Sequence, residues 1–513
     1  MCGILFTNKP AITKDRFISA LMQMDHRGPD AAECYAESGA GKLGHNRLKI
    51  QDLDNRSNQP FASEDGRHQI IYNGEIYNFH ELAQKHRLEL RTTSDTEVLL
   101  KLYLKLGAEM LNELNGMFAF IIVNQQTGKF FVARDRLGIK PLYHTQAGGQ
   151  HAFSSEIAPL LTLSEHTTID EVGLRQYKKL RTFFNGRTLY QGISMFPAGS
   201  YMENGLIHRY WELPRGDQEP PTDEEVRHLL ESAVRYRRIS DVEVGSYLSG
   251  GVDSTIIAGL SHKPHTWTVG SESNNEFEWA RIAAAKFGST HHEVLITDEE
   301  FLELAKDLIL TRREPLSVPN EVLLYKMTRA VKQFNTVVLS GEGADELFFG
   351  YDRIYRWANA CPKFNLREFD AGYSYGSHRD DEVIEDALAP FMDRGRTIDI
   401  VAAFFQVAHL HGLLRRVDNS TMRCSVEARV PFVDHRLVKR LAGVPLAYRM
   451  QDGVVKAPLK RIFADILPPS IIERKKVGFP VDLATIFKDF GDENDSSMDK
   501  WLKFNLKVLQ IEN

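Results

Sequence analysis

An apolar stretch, Val242–Leu248, runs into Ser249-Gly250-Gly251-Val252-Asp253-Ser254 and then into a helical sequence; this join constrains the fold most. A strand handed by a glycine turn to a helix start is the unit of a parallel sheet, whose strands need helical crossovers between them. The pattern repeats. His265–Val269 leads to a helix around Ala280–Phe287, and Thr336–Leu339 leads to a second glycine turn followed by acidic residues. The later part of the chain is therefore predicted to be a doubly wound α/β sheet, with ligands at the carboxyl ends of its strands.

The earlier part reads differently. Gly3–Phe6, His68–Tyr72, Met117–Val123 and Phe130–Ala133 are predicted strands separated by turns. Phe17, Ile18, Leu21 and Met22 mark one helical stripe, and Glu97–Leu106 marks another helix. The polar, turn-rich segment Arg215–Asp223 separates the two textures, giving domains at 1–212 and 220–513. Thr222 or Asp223 can cap the following helix, whose apolar stripe is Val226, Leu229, Leu230 and Val234. A length of 513 residues suits two domains. The net charge of -6 gives no basic footprint for nucleic acid. Cys2, Cys34, Cys361 and Cys424 lack metal or disulfide spacing, which fits a reducing cytoplasm. The clearest apolar run, Met117–Val123, is far shorter than a membrane span, and the N-terminus has no signal-peptide pattern. Gly491–Lys500 reads as a polar, mobile tail.

Ser249 to Ser254 suits a phosphate. Glycines admit a close anion, the helix start presents free N–H groups, and the two serines add hydroxyl donors. Asp253 would repel phosphate without a cation between them, which assigns it to Mg²⁺. A capped helix after a glycine turn would explain the glycines but not this aspartate. No lysine follows the glycines, so the loop is not of the Walker type.

Cys2 follows Met1 directly. Loss of Met1 would give the thiol an α-amine as its own base. Arg47 can bind a carboxylate, Asp95 an ammonium, and the Asn73 side-chain amide with the Gly74 N–H can stabilise an oxyanion. Taken singly, Asn73-Gly74 is a hairpin turn and a lone charge is a solvated one.

Together the N-terminal pieces resemble the glutaminase domain of class II glutamine amidotransferases, the N-terminal-nucleophile type. They are Met1-Cys2-Gly3-Ile4, His26-Arg27-Gly28-Pro29-Asp30, Asn73-Gly74-Glu75-Ile76-Tyr77-Asn78, Gly116–Phe120 and Arg134–Tyr143. The resemblance implies an αββα sandwich with Cys2 as nucleophile and Asn73 and Gly74 as oxyanion hole. It makes Arg47, Asn73, Gly74, Glu75 and Asp95 the glutamine-binding residues. Arg134–Tyr143 is read as structural rather than as a phosphate loop.

The Ser249–Ser254 loop resembles that of N-type ATP pyrophosphatases. With Leu339-Ser340-Gly341-Glu342-Gly343-Ala344-Asp345-Glu346, Gly350-Tyr351, Val426–Asp434 and Lys475-x-x-Gly478-Phe479-Pro480, the chain is similar to glutamine-dependent asparagine synthetases over nearly its whole length. That likeness implies ATP and Mg²⁺, with Asp253 and Asp345 holding the metal and pyrophosphate. Leu248, Ser249, Gly250, Gly251, Asp253, Ser254, Val269, Ser340 and Gly341 would bind the nucleotide. Glu342 would orient or deprotonate the attacking amine, and Lys456, with Lys460 as competitor, would neutralise the phosphates. Glutamine, ATP and aspartate are the implied substrates, and homodimers are frequent in the family. The chain departs from the pattern at Arg313–Asn320, which lacks a Thr-x-Arg-like signature, and at Asn275, where the family usually has Asp. It is also somewhat short at its C-terminal end. These departures leave open a same-mechanism enzyme amidating a sugar acid or natural-product precursor. Cys2 argues against a β-lactam-forming synthetase, and Ser249–Ser254 against a sugar-phosphate amidotransferase. A non-catalytic protein with a residual glutaminase fold would show decay at one site, and both sites look intact.

Overall fold

The computed structural model describes residues 2–164, 167–262, 265–375, 378–474 and 481–511, with the backbone only at Glu33. Met1 and the Lys475–Pro480 motif lie outside the described residues.

The N-terminal part holds two six-stranded antiparallel sheets. One comprises β1 (Gly3–Thr7), β2 (Ala31–Ser38), β3 (Gly41–Arg47), β8 (Tyr143–Ala147), β9 (Gln150–Ser154) and β10 (Ile193–Met195), in the order β10-β8-β9-β1-β3-β2. The other comprises β4 (Phe61–Ala62), β5 (His68–Ile76), β6 (Gly116–Asn124), β7 (Phe130–Arg134), β11 (Ser200–Glu203) and β12 (Leu206–Arg209), in the order β12-β11-β7-β6-β5-β4. Strand alternation sets the layers. Ile4 and Phe6 point inward to Ile71, Ile121 and Val132 of the second sheet, while Leu5 points outward to Phe17 and Leu21. Helices Lys14–Met22 and Ile157–Leu163 cover one outer face, and Phe79–His86 and Asp95–Leu106 the other, completing the αββα sandwich. In the first helix Phe17 and Leu21 are buried, but Met22 is exposed; it ends the helix beyond the edge of the buried stripe.

The C-terminal part is built on a parallel sheet of β13 (Val244–Tyr247), β14 (His265–Gly270), β15 (Thr290–Leu295), β16 (Val337–Leu339) and β17 (Glu427–Arg429). Its order, β15-β14-β13-β16-β17, makes the chain wind outward from β13 in one direction and then from β16 in the other. The loops after β13 and β16 therefore meet at the switch point, where such sheets bind ligands. Thr222 caps the helix Asp223–Arg237 by accepting the Glu225 N–H at 3.1 Å.

Two expectations are corrected. The 491–500 segment is tied down: Lys503 reaches Asp492 at 3.1 Å and Asp495 at 2.7 Å, Ser496 caps the helix Ser497–Val508, and Trp501 is fully buried. Its polar residues are the cap and ion pairs of an amphipathic helix. Met117–Val123 is also not the apolar segment that matters most. Thr397–Met422, 26 residues with a π-helical turn at Phe405–His409, has the length and hydropathy of a membrane span. Here it is a core helix: Ile400, Val401, Phe404, Leu410 and Leu414 are buried, and it carries the buried, ion-paired Arg415 and Asp418.

Candidate active sites

Cys2 lies at the entrance to β1 and is 8% exposed. Its backbone N–H donates to Asn73 Oδ1 at 3.1 Å, and its carbonyl accepts Arg27 Nε–H at 3.2 Å. The first bond orients the Asn73 amide and leaves Nδ2 buried without an acceptor. A buried donor without a partner is costly, and this one is left free to meet an oxygen beside Cys2. Gly74 follows on β5, opposite Phe118, and a Cβ there would lie 2.1 Å from the Met117 carbonyl oxygen, so only glycine fits. Burial pushes the Cys2 thiol up, opposed by the Leu48 backbone N–H and the Arg47 charge.

The carboxylates behind the cysteine are almost dry. Asp95 caps no helix; its Oδ2 accepts from Tyr72 Oη at 2.8 Å and from the Ile76 N–H at 2.9 Å, and burial raises its pKa to about 6. Glu75 accepts from Arg429 Nη2 at 3.0 Å, while its Oε1 is buried without a hydrogen-bond donor. Burial and then Asp95 push Glu75 well above the carboxylate range. Two inward carboxyl groups with spare acceptor oxygens, Asp95 being the one ionised near neutral pH, suit an ammonium. Arg47 is also buried here, but its fork donates to the loop: Nη1 to the Asp54 carbonyl at 2.7 Å and Asn58 Oδ1 at 2.8 Å, Nη2 to the Gln51 and Asp52 carbonyls at 3.1 and 2.5 Å. These neutral acceptors fix the guanidinium and leave its charge uncancelled. Arg134–Tyr143 is an internal brace, with Arg134 donating to the carbonyls of Gly138, Lys140 and Phe196.

The second site forms where β13 and β16 end. The 249–254 loop is preformed: Ser254 Oγ lies 3.0 Å from Ser249 Oγ and accepts the Ser249 N–H at 3.2 Å. Gly250 has φ +71°, and a Cβ on it would meet Trp279 at 2.5 Å. Gly341 sits against this loop, its Cβ position 3.1 Å from Asp253 Cβ and the Ser254 nitrogen. The Ser340 N–H is bound by the Arg429 carbonyl at 2.9 Å. Leu248 is buried and donates its N–H to the Trp267 carbonyl at 2.8 Å, and Val269 lies next to the end of the adjacent strand.

Asp253 and Asp345 converge on one cation. Lys456 Nζ lies 2.5 Å from Asp253 Oδ2 and 2.6 Å from Asp345 Oδ1. Lys456 holds a left-handed φ of +55° at the start of helix Ala457–Ile462, and these acids push its pKa up despite burial. Lys460, the competitor, is more open, and burial and Lys456 depress it. Gly350 closes the site, since a Cβ there would fall 1.6 Å from Asp345 Oδ1. Two carboxylates beside a phosphate loop suit Mg²⁺, which takes one or two protein carboxylates and completes its shell with water and substrate phosphates. Glu342, one turn away, pairs with Arg416 Nη2 at 2.8 Å.

Sequence reasoning assigned no role to Arg416, Arg429, Arg27 or Tyr72. Arg429, Arg27 and Tyr72 sat inside recognised segments and Arg416 outside them, and each showed its partner only once folded. Two of the three departures, at Asn275 and at Arg313–Asn320, have local explanations. Asn275 turns the chain, donating to the Ser271 carbonyl at 2.9 Å. The 313–320 segment is pinned by Glu321, which accepts the Ser317 N–H at 2.6 Å and pairs with Arg312 at 2.5 Å.

A cysteine site in an αββα sandwich, fused to a parallel sheet with a phosphate loop and paired aspartates, defines a two-site amidotransferase. Residues 1–211 match the family described as "Glutamine amidotransferase domain", and residues 225–500 match "Asparagine synthase". "Asparagine synthetase [glutamine-hydrolyzing] 1" of Bacillus subtilis is 31% identical over 100% of this chain and 91% of that protein. "Asparagine synthetase [glutamine-hydrolyzing] 3" of the same organism is 30% identical over 96% and 86%. "Asparagine synthetase B [glutamine-hydrolyzing]" of Escherichia coli is 30% identical over 89% and 77%. The chain belongs to the glutamine-hydrolysing asparagine synthetase family.

Proposed function

We propose that the chain makes asparagine from aspartate, ATP and glutamine. The observation that carries this is the buried, unpaired Asn73 Nδ2 beside Cys2 in the same chain as the Lys456–Asp253–Asp345 cluster. Neither half would need both.

In the first site Glu75 and Asp95 hold the glutamine ammonium, and the fixed charge of Arg47 faces its carboxylate. With Met1 removed, the Cys2 amine takes the thiol proton and Sγ attacks the amide carbon. Asn73 Nδ2 and the Gly74 N–H bind the oxyanion. The C–N bond breaks, ammonia leaves with that proton, and water hydrolyses the thioester to glutamate.

In the second site the ATP phosphates lie on the Ser249–Ser254 and Ser340–Gly341 loops, with Leu248 and Val269 lining the nucleotide. Asp253 and Asp345 would hold Mg²⁺, which when bound supplies positive charge to the phosphates. Lys456 adds its own charge to the leaving pyrophosphate. The aspartate side-chain carboxylate displaces pyrophosphate from the α-phosphorus, giving an acyl-adenylate. Ammonia attacks the acyl carbon, Glu342 takes its proton, and AMP leaves.

Pyrophosphate release is measured with ATP, Mg²⁺ and glutamine, with and without L-aspartate, and the product is identified by mass spectrometry. Aspartate-dependent pyrophosphate and asparagine are expected. In Cys2→Ala, glutamine-driven synthesis should fall by more than about 10³-fold, while ammonia-driven synthesis persists. Glutamine hydrolysis without aspartate-dependent pyrophosphate would refute the acceptor.

A further inference from the structure

Asp52 stands between the two charged arms of the first site and is bonded to both. Its carbonyl accepts Arg47 Nη2–H at 2.5 Å. Its Oδ1 accepts the Asp54 N–H at 3.3 Å, closing a turn whose Asp54 carbonyl accepts Arg47 Nη1–H at 2.7 Å. Its Oδ2 accepts the Thr93 N–H at 2.9 Å, two residues before Asp95. Arg56 Nε donates to the same oxygen at 3.1 Å. The residue is 3% exposed and holds φ +46°. A Cβ is disfavoured there, and such a conformation persists only when its surroundings over-determine it.

The turn is braced from behind by the C-terminal half. The Asp52 N–H donates to Asp241 Oδ2 at 2.7 Å, and the Asp241 N–H donates to the Ile50 carbonyl at 3.0 Å. On the other arm, Glu97 accepts the Thr92 N–H at 2.8 Å, and Ser94 caps the helix that begins at Asp95. Those bonds fix the Asp95 turn to its own helix, whereas the Thr93–Asp52 bond ties it to the turn that carries Arg47. Burial would raise the Asp52 carboxyl, but the Thr93 N–H and Arg56 hold it down at about 2, so it stays an acceptor at neutral pH.

We propose that Asp52 is a positioning residue of the glutamine pocket: it sets the spacing between Arg47, which meets the substrate carboxylate, and Asp95, which meets its ammonium. This rests on the glutamine reading above. A guanidinium and a carboxylate recognise one α-amino acid only when held at a fixed separation, and a misplacement of about 1 Å can cost about 10²-fold. Asp52 touches neither substrate charge and acts through the two groups that do.

Asp52→Gly removes the carboxylate, keeps the N–H and carbonyl that Asp241 and Arg47 use, and relieves the positive φ. In glutamine hydrolysis, KM should rise at least about 10-fold while kcat changes by less than about threefold. Asp52→Asn keeps an oxygen for the Thr93 N–H and tolerates that φ, so it should recover most of the loss. The preference for glutamine over glutaramate, which lacks the α-amine, and over 4-aminobutanamide, which lacks the α-carboxylate, should shrink by about 10-fold. Equal losses on all three substrates, or a glutamine KM within about twofold of wild type, would overturn the proposal. Ammonia-driven pyrophosphate release bypasses this pocket and reports whether Asp52→Gly is folded; its loss as well would make Asp52 a support of the fold and overturn the proposal. Wild type that hydrolyses no glutamine would instead overturn the reading of the pocket, and the proposal with it.

Discussion

Arg429 on β17 donates to Glu75 on β5 at 3.0 Å, joining the sheet of one half to the cysteine pocket of the other. The same residue's carbonyl holds the Ser340 N–H at the start of the second phosphate loop. The guanidinium is fully buried, pairs also with Glu427 at 2.5 Å, and donates to the carbonyls of Arg237 and Ile239. Arg27 makes a parallel link, from the Cys2 carbonyl to Asp418 at 2.9 Å on the core helix.

Arg429→Met strands two buried carboxylates, so stability should fall by about 3–5 kcal/mol, the cost of breaking a buried pair from one side. Chemical denaturation measures it. Unchanged stability would show that Glu75 and Glu427 take up protons or find other partners.

Asn73→Ala removes the proposed oxyanion donor and leaves the Cys2 nitrogen without its acceptor. Glutamine hydrolysis should lose about 10²–10³ in kcat, while ammonia-driven synthesis continues. Equal losses in both assays would mean that Asn73 only supports the fold.

Asp95 gives the glutaminase an acid limb. Its folded pKa of about 6 lies above the ordinary carboxylate value, so the folded state takes up a proton there before the unfolded chain does. Asp95 therefore weakens the fold at neutral pH, and the cost is relieved as pH falls through about 6. Ammonium binding needs the ionised form. Thus kcat/KM for glutamine should fall as pH drops through about 6, whereas aspartate-dependent ATP–pyrophosphate exchange should lack that limb. A shared limb would place the titration elsewhere.

Lys456→Ala frees Asp253 and Asp345 to repel each other and the phosphates. Aspartate-dependent pyrophosphate release should fall by at least about 10²-fold with glutamine hydrolysis intact. Lys460→Ala should cost far less. The reverse ranking would move the phosphate-neutralising role to Lys460.

Local pattern carried a good deal of this. The alternation in Gly3–Phe6 and Met117–Val123 foretold strands, and the glycine turns at 250 and 341 fell at the switch point. It failed where a segment's meaning depends on what covers it. The polar 491–500 segment gave no hint of Lys503 and Trp501, and Thr397–Met422 hides its ion pairs among apolar residues. For Arg47 it gave the charge but not the loop carbonyls that orient it.

By itself the sequence named the candidates for the two proposed chemistries: Cys2 with Asn73-Gly74, and Asp253 with Asp345 in glycine loops. Nucleophiles, oxyanion donors and phosphate turns are short-range devices whose residue types and spacing are written locally. Only the tertiary structure decided how they are wired. Arg429 meets Glu75 across 354 positions, and Arg27 meets Asp418 across 391. An arginine looks the same in a string whether it faces water, a carbonyl or a carboxylate. Burial and the identity of its partner make it a clamp or a link between sites.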